Sequence, residues 1–100
     1  MAIHQGFTSV NAVGVTGTAG ASSAQLTLPT MASGAAPKAV RVQTDGYAFV
    51  KFGASGVVAT TNDMLISPNM PEYVVCGGAT TMAYIQSTAA CKVNVVPLES

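Results

Sequence analysis

Hydrophobic and polar residues alternate in short runs along most of this chain, which is the pattern of half-buried β-strands. From residue 38 onward Val, Thr and Tyr are frequent, and Gly, Pro, Asn or Asp interrupts the sequence every few positions. No window of helical length keeps the helical spacing of apolar positions, because each one contains a Gly or a Pro. Long helices are therefore not expected.

Strand boundaries follow from the alternation and from the turn residues between the runs. Residues 17–23 are expected to form a loop, and residues 97–100 a tail. Asp45-Gly46 predicts a two-residue β-hairpin, because Gly accepts the positive φ of a primed turn. The predicted strands are Phe7–Val15, Ala24–Leu28, Ala39–Thr44, Tyr47–Phe52, Val57–Thr60, Met64–Ser67, Glu72–Cys76, Thr81–Ser87 and Cys91–Val96.

About eight short strands at this spacing are typical of an all-β, single-domain antiparallel β-sandwich. The connectivity is either jelly-roll or immunoglobulin-like, and alternation alone does not choose between them. A length of 100 residues allows one domain. Residues 1–37 contain no Asp, Glu, Lys or Arg. Within them, residues 1–23 are interpreted as an extended N-terminal arm or as a loop-rich edge segment of the sandwich.

The charge content narrows the possible partners. Charged residues make up 8% of the chain, hydrophobic residues 49%, and the formal net charge is +0. A nucleic-acid-binding surface needs clustered cations, whereas the four here are dispersed: Lys38, Arg41, Lys51 and Lys92. We expect no nucleic-acid partner. So apolar and weakly charged a protein is instead expected to be a homo-oligomer or to be covered by another protein.

Membrane insertion and secretion are not expected either. No apolar run approaches the length of a membrane helix, and the first residues lack the cationic and apolar regions of a secretory signal. The chain is expected to be made in a cytoplasm, where Cys76 and Cys91 stay reduced. Both alternate with apolar neighbours and fit no zinc motif, so they are interpreted as core residues.

Residues capable of catalysis are few. His4, the single histidine, lies in the first residues of the chain, where a general base would not be held in place. No Ser or Cys stands in a nucleophile-elbow context. We predict no enzyme activity, no catalytic, cofactor-binding or metal-binding residue, and no small-molecule substrate. The carboxylates fall at predicted turns, at strand ends or in the tail: Asp45, Asp63, Glu72 and Glu99.

Aromatic and methionine side chains are the remaining candidates for binding. Exposed aromatics could form a sugar-binding face, but strand periodicity favours core or interface positions for most of them. Met31 and Met70 lie in predicted loops, where packing within the domain is less expected, so they are the candidate partner contacts. The aromatics considered are Tyr47, Phe49, Phe52, Tyr73 and Tyr84.

The part of the chain from Ala39 to Glu99 resembles small all-β virion proteins encoded beside the capsid genes of tailed bacteriophages. The resemblance lies in strand-turn-strand text and not in a chemical motif, so no functional residue is carried over. The matching segments are VRVQTDGYAFVKFG (40–53), ATTNDMLISP (59–68), PEY (71–73), GGATTMAYI (77–85) and KVNVVPLE (92–99).

The resemblance implies a virion structural protein that binds the outside of a phage capsid and stabilises it as a cement or decoration protein. Its partner would be the major capsid protein, and its location the virion after synthesis in the host cytoplasm. Two alternatives remain: a tail or fibre appendage that binds a host surface as an adhesin, and a sandwich-type binding domain unrelated to virions.

Overall fold

Eight antiparallel β-strands make up the part of the chain that a computed structural model describes, residues 13–98, and this part contains no helix. Sheet 1 has the strand order β1-β8-β3-β6, and sheet 2 has the order β2-β7-β4-β5. The predicted all-β sandwich is confirmed. The strands are β1 (Val15–Ala19), β2 (Ala24–Thr27), β3 (Ala39–Thr44), β4 (Ala48–Gly53), β5 (Met64–Ile66), β6 (Glu72–Val75), β7 (Thr81–Gln86) and β8 (Cys91–Leu98).

The strand pairing is that of a jelly roll. β1 pairs with β8, β2 with β7, β3 with β6, and β4 with β5. The chain is therefore one long antiparallel hairpin that is rolled up, so that successive strand pairs alternate between the two sheets. An immunoglobulin sandwich keeps its first two strands in one sheet, whereas β1 and β2 lie in different sheets.

The core lies between the two sheets and is formed by every second residue of the central strands. Val40 and Val42 of β3 are fully buried together with Val93 and Val95 of β8, their neighbours in sheet 1. Sheet 2 contributes the opposite half of the core: Leu26, Ala48, Val50, Ile66, Met82 and Tyr84.

Tyr84 sets how closely β1 approaches sheet 2. A Cβ at Gly17 would lie 2.6 Å from Cζ of Tyr84, so only the absence of a side chain lets the ring fill this space. Tyr84 is buried and packs within the core cluster. Gly17 is thus a packing residue, and the loop predicted for residues 17–23 is wrong at residues 17–19, which belong to β1.

The predicted hairpin at Asp45-Gly46 is also wrong. β3 and β4 lie in different sheets, so these two residues carry the chain from one sheet to the other. The Lys92 backbone N–H donates to Asp45 Oδ1 at 2.7 Å, so the Asp45 side chain binds the first residues of β8. A Cβ at Gly46 would lie 2.7 Å from Cβ of Cys91, so this glycine serves a close approach and not a primed turn.

The strand predicted at 57–60 is absent, and these residues belong to the β4–β5 connection. That connection lies across the outer face of sheet 2. The backbone N–H of Gly56 donates to Gln25 Oε1 and that of Ala59 to Ser23 Oγ, both at 2.9 Å. Side-chain acceptors therefore hold this connection, in place of the backbone hydrogen bonds of a strand. Ala83 points outward from β7 and is nonetheless fully buried.

The predicted tail begins too early, because Pro97 and Leu98 belong to β8. The Asp45 N–H donates to the Lys92 carbonyl, so the backbone groups of Lys92 face β3. Because successive residues of a strand direct these groups to opposite sides, the nitrogen of Pro97 faces away from β3. On that other side, pairing with β1 ends at Val15↔Val95, so the missing N–H breaks no described ladder bond. Of the strand predicted at 7–15, positions 7–12 lie outside the described residues.

Replacing Gly17 by Ala should destabilise the protein by about 1–3 kcal/mol, because the added methyl overpacks against the ring of Tyr84. Urea unfolding measures the change as a lower midpoint at an unchanged slope. Gly20→Ala is the matched control, since no atom lies within 4 Å of the added Cβ. Tyr84→Phe removes the hydroxyl that lies closest to the new methyl, so the double variant should lose less than the sum of the two single changes. Additive losses would contradict this account.

Candidate interaction surface

Exposed apolar side chains concentrate at one side of the sandwich, where β5 ends sheet 2 and β6 ends sheet 1. We call residues 64–75 the β5–β6 edge. Of the eight large hydrophobic residues exposed within the described part of the chain, five lie here, with Val75 76% exposed. Clusters of this kind mark interaction sites more often than scattered ones do. The five are Met64, Leu65, Met70, Tyr73 and Val75.

The turn between β5 and β6 holds Met70 in place. The Asn69 N–H donates to the Thr44 carbonyl at 3.0 Å, and Pro68 bridges the same residue of β3. Asn69 has a φ of 62°, a left-handed conformation that Asn tolerates better than most residues. Met70 follows directly and is 62% exposed. Of the two candidate contacts, Met70 therefore lies within the apolar edge.

Met31 lies elsewhere, in the connection between β2 and β3. Its backbone closes a turn, since its N–H donates to the Ala35 carbonyl at 2.9 Å and its carbonyl accepts from Gly34 at 2.8 Å. The side chain is half-buried. The structure thus places the two methionines in different connections and gives Met70 the greater exposure.

A row of polar side chains crosses the outer face of sheet 1. Asn94 Nδ2 donates to Thr16 Oγ1 at 3.0 Å, and Arg41 Nη2 donates to Asn94 Oδ1 at 3.5 Å. The row runs from the edge strand β1 over β8 to β3. On the far side of β3, Tyr73 lies in register with Arg41 and joins the row to the β5–β6 edge.

Arg41 occupies a confined position on this face. Tyr73 of β6 and Val96 of β8 are its cross-strand neighbours. Its Nε is buried and has no hydrogen-bond partner. Among the described residues no carboxylate pairs with this guanidinium, and its hydrogen bond to Asn94 is at the long end of the distance range.

Asp45 and Asp63 accept hydrogen bonds from backbone N–H groups, whereas Glu72 is exposed at the start of β6. Asp45 accepts from the end of β8, and Asp63 Oδ2 accepts from the Thr60 N–H at 2.7 Å, which closes the turn that leads into β5. Asp63 thus lies at a turn, one of the positions expected for the carboxylates. Within residues 13–98, no three His, Cys, Asp or Glu side chains come together as a possible metal site. His4 and Glu99 lie outside the described residues.

A shallow cleft of about 360 Å³ opens beside β2 on the outer face of sheet 2. Its lining is uncharged and contains only one apolar side chain. No acid, base or thiol borders it, and its polar groups are one amide and several hydroxyls. Its lining residues are Gln25, Leu26, Thr27, Ser55, Thr80 and Thr81.

The two cysteines are free, buried and remote from each other. The Cys76 N–H donates to the Lys38 carbonyl before β3 begins, whereas Cys91 lies against Gly46 beyond its end. Eight residues of extended chain separate these positions, about 26 Å, far beyond the reach of a disulfide. Burial raises the pKa of both thiols, and for Cys91 the negative charge of Asp45 adds to it.

The aromatic side chains divide between core and surface. Tyr84 is in the core cluster and Phe52 packs against it, whereas Tyr47 and Tyr73 are exposed. The two exposed rings lie on different segments, the β3–β4 connection and β6.

Among the described residues there is no helix long and apolar enough to cross a membrane.

Arg41, Val75 and Leu65 were not identified as surface candidates by the sequence. Tyr73 and Val75 alternate with Glu72 and Val74, so the pattern itself indicated that they share one face. Which of the two faces would be covered depended on the pairing of β6 with β3. The alternation of β6 could therefore have suggested the pair, but not its exposure.

Both thiols should be unreactive toward iodoacetamide in the native protein near neutral pH, and both should be alkylated in urea without reductant. Intact mass measures the number of additions. Because the pKa of each thiol is raised in the fold, the unfolded chain ionises first as pH rises. The free energy of unfolding should therefore fall from about pH 8.5 upward. The Cys76→Ala, Cys91→Ala double variant should show a shallower fall, and an equal fall would contradict the assignment.

Comparison with models of protein families, with curated proteins and with solved structures finds no match to this chain.

Proposed function

We propose that this protein is a virion structural protein that binds the outside of a phage capsid and stabilises it as a cement or decoration protein. The major capsid protein is its partner, and the protein acts as a homo-oligomer. It is made in the host cytoplasm and functions on the virion. The proposal starts from the resemblance of residues 39–99 to small all-β phage virion proteins, and surface features of the fold support it.

The observation that carries the proposal is the apolar β5–β6 edge on a chain with so little charge. Only 8% of the residues are charged, and exposed ion pairs contribute little to association. Apolar burial remains as the principal driving force, at about 25 cal/mol per Å² removed from water. A protein that covers a shell through such contacts would bury this edge against its neighbours.

The edge strands provide a second means of attachment. The four strands that end the two sheets are β1, β2, β5 and β6. None of them contains Lys, Arg or Pro, the residues that commonly protect sheet edges from pairing with another chain. Backbone pairing at such an edge would add hydrogen bonds between subunits without needing charge. This favours an assembly protein over a freely diffusing module.

Val75→Lys should weaken binding to capsid shells at least about tenfold, because it places a charge on the most exposed apolar side chain of the β5–β6 edge. Cosedimentation with shells assembled without this protein measures the bound fraction against concentration. Val58→Lys is the matched control, since Val58 is also a valine, is 60% exposed, and lies outside the edge in the β4–β5 connection. Equal binding by the two variants would refute the role of the edge.

Attachment of the wild-type protein should persist at 1 M salt, where the Debye length is about 3 Å and exposed ion pairs are screened. Mild denaturant should release it, because urea weakens apolar and peptide burial. Release by salt alone would overturn the apolar mechanism.

Electron microscopy of purified particles distinguishes the alternatives by the number of copies. Many copies on the shell support the capsid role, and a few at the tail support a tail or fibre position. An absence of binding to either favours a domain unrelated to virions.

The proposed N-terminal arm can be tested by a deletion that leaves β1 in place. Residues 15–19 form β1 and Ala19 is fully buried, so a deletion must stop before them. Removal of residues 1–12 should weaken attachment and leave the urea midpoint unchanged if these residues contact a neighbouring subunit. Unchanged binding would remove the arm from the proposal.

A further inference from the structure

The outer face of sheet 1 carries two positively charged side chains, and the carboxylate at its end already accepts a hydrogen bond. Arg41 of β3 and Lys92 of β8 point to this face, as the strand register requires. Asp45, at the end of the same face, accepts from the Lys92 backbone N–H. The outer face of sheet 2 differs, because its β4–β5 connection lies across part of it and Lys51 is its one charged residue among the strands described there.

Arg41 is held by its surroundings with its hydrogen-bonding capacity largely unused. A guanidinium has five N–H donors, and among the described residues Nη2 makes a long 3.5 Å bond to Asn94. The buried Nε has no hydrogen-bond partner. Tyr73 and Val96 lie opposite Arg41 on the two neighbouring strands, where cross-strand side chains are close enough to limit the positions of the guanidinium.

We propose that Arg41 is the anchor of a docking surface on the outer face of sheet 1, where its guanidinium binds a carboxylate side chain of the partner protein. The inference rests on the proposed function, in which the partner is the capsid shell. The surface is continuous with the β5–β6 edge through Tyr73 and Val75. Both side chains lie on the outer face of β6, and Tyr73 is in register with Arg41.

The chemistry of this surface selects a carboxylate within an apolar setting. A guanidinium is planar and binds carboxylates through two parallel N–H···O bonds, and a partly immobilised one loses little entropy on binding. Arg and Tyr side by side in a confined centre, with apolar neighbours, is the composition of energetically dominant interface residues. A nucleic-acid phosphate backbone is a poorer match, because it would require more cations than the two on this face.

An ion pair formed here is compatible with salt-resistant attachment. Screening is strong for exposed charges and weak for pairs that are partly buried. Arg41 is already half-buried in the free protein, and a partner on Tyr73 and Val96 would cover it further. We therefore expect Arg41 to affect the affinity at low and at high salt alike.

Arg41→Met should lower the affinity for capsid shells by at least about tenfold at both salt concentrations, since it keeps the packing volume and removes the donors. Arg41→Lys should recover part of the loss, because it restores charge without the planar donor pair. Lys51→Met is the control on the other sheet and should bind as the wild type does. Urea midpoints of all variants establish that each is folded under the binding conditions.

Zero-length carbodiimide crosslinking supplies a direct readout. In Arg41→Lys bound to shells, the introduced amine should form an amide bond to an Asp or Glu of the shell protein, with water taken up by the carbodiimide as it becomes a urea. Mass spectrometry of the peptides locates the bond. The native Lys51 should give no such product under the same conditions.

The outcomes separate the two proposals. Wild-type binding with unchanged binding of Arg41→Met overturns the anchor and leaves the capsid proposal standing. Equal losses in Arg41→Met and Lys51→Met overturn it as well, since they indicate general electrostatic attraction. Crosslinks to a second copy of this chain, or release of the protein by nuclease, replace the acidic shell surface by another occupant. If wild-type protein does not bind shells at all, the proposed function fails and the anchor fails with it.

Discussion

The pairing of β8 with both β1 and β3 is the interaction on which the remainder of the sandwich depends. It joins residues 15–19 to 91–95 and places Val93 and Val95 in the centre of the core. Closing so long a loop costs chain entropy, which only the burial of both sheets can offset. β1 is therefore part of the cooperative unit. A detachable arm, if the chain has one, must lie before it.

The two outer faces meet different demands. On sheet 2 the β4–β5 connection lies over β7, so that outward-pointing Ala83 is buried by the chain itself. On sheet 1 the polar row ends at Arg41 and gives way to exposed Tyr73 and Val75. A chain with few charges has little means of keeping such a surface soluble. The sheet 1 face and the adjoining β5–β6 edge are thus where a partner would relieve both the apolar exposure and the unsatisfied guanidinium.

Surface residues were predictable only in part. Met70 was identified because a loop methionine has no strand neighbours to pack against, and it is exposed in the structure. Met31 had the same sequence signal but is half-buried. Arg41 gave no signal, because a single Arg on an alternating strand is the ordinary pattern of a solvated face. Its confinement arises from Tyr73 and Val96, which are distant in sequence.

Alternation and turn residues by themselves determined the all-β class, the bounds of β3 and the approximate positions of β2 and β4–β8. These depend on local periodicity, which neighbouring side chains enforce. Only the tertiary structure decided the jelly-roll connectivity and the purpose of the glycines. Asp45-Gly46 has the sequence of a hairpin, yet it crosses between sheets because β3 finds its partners in β8 and β6. Gly17 and Gly46 have the sequence of turns, yet they are needed where Tyr84 and Cys91 approach the backbone. Such contacts join residues far apart in the chain, and no local pattern records them.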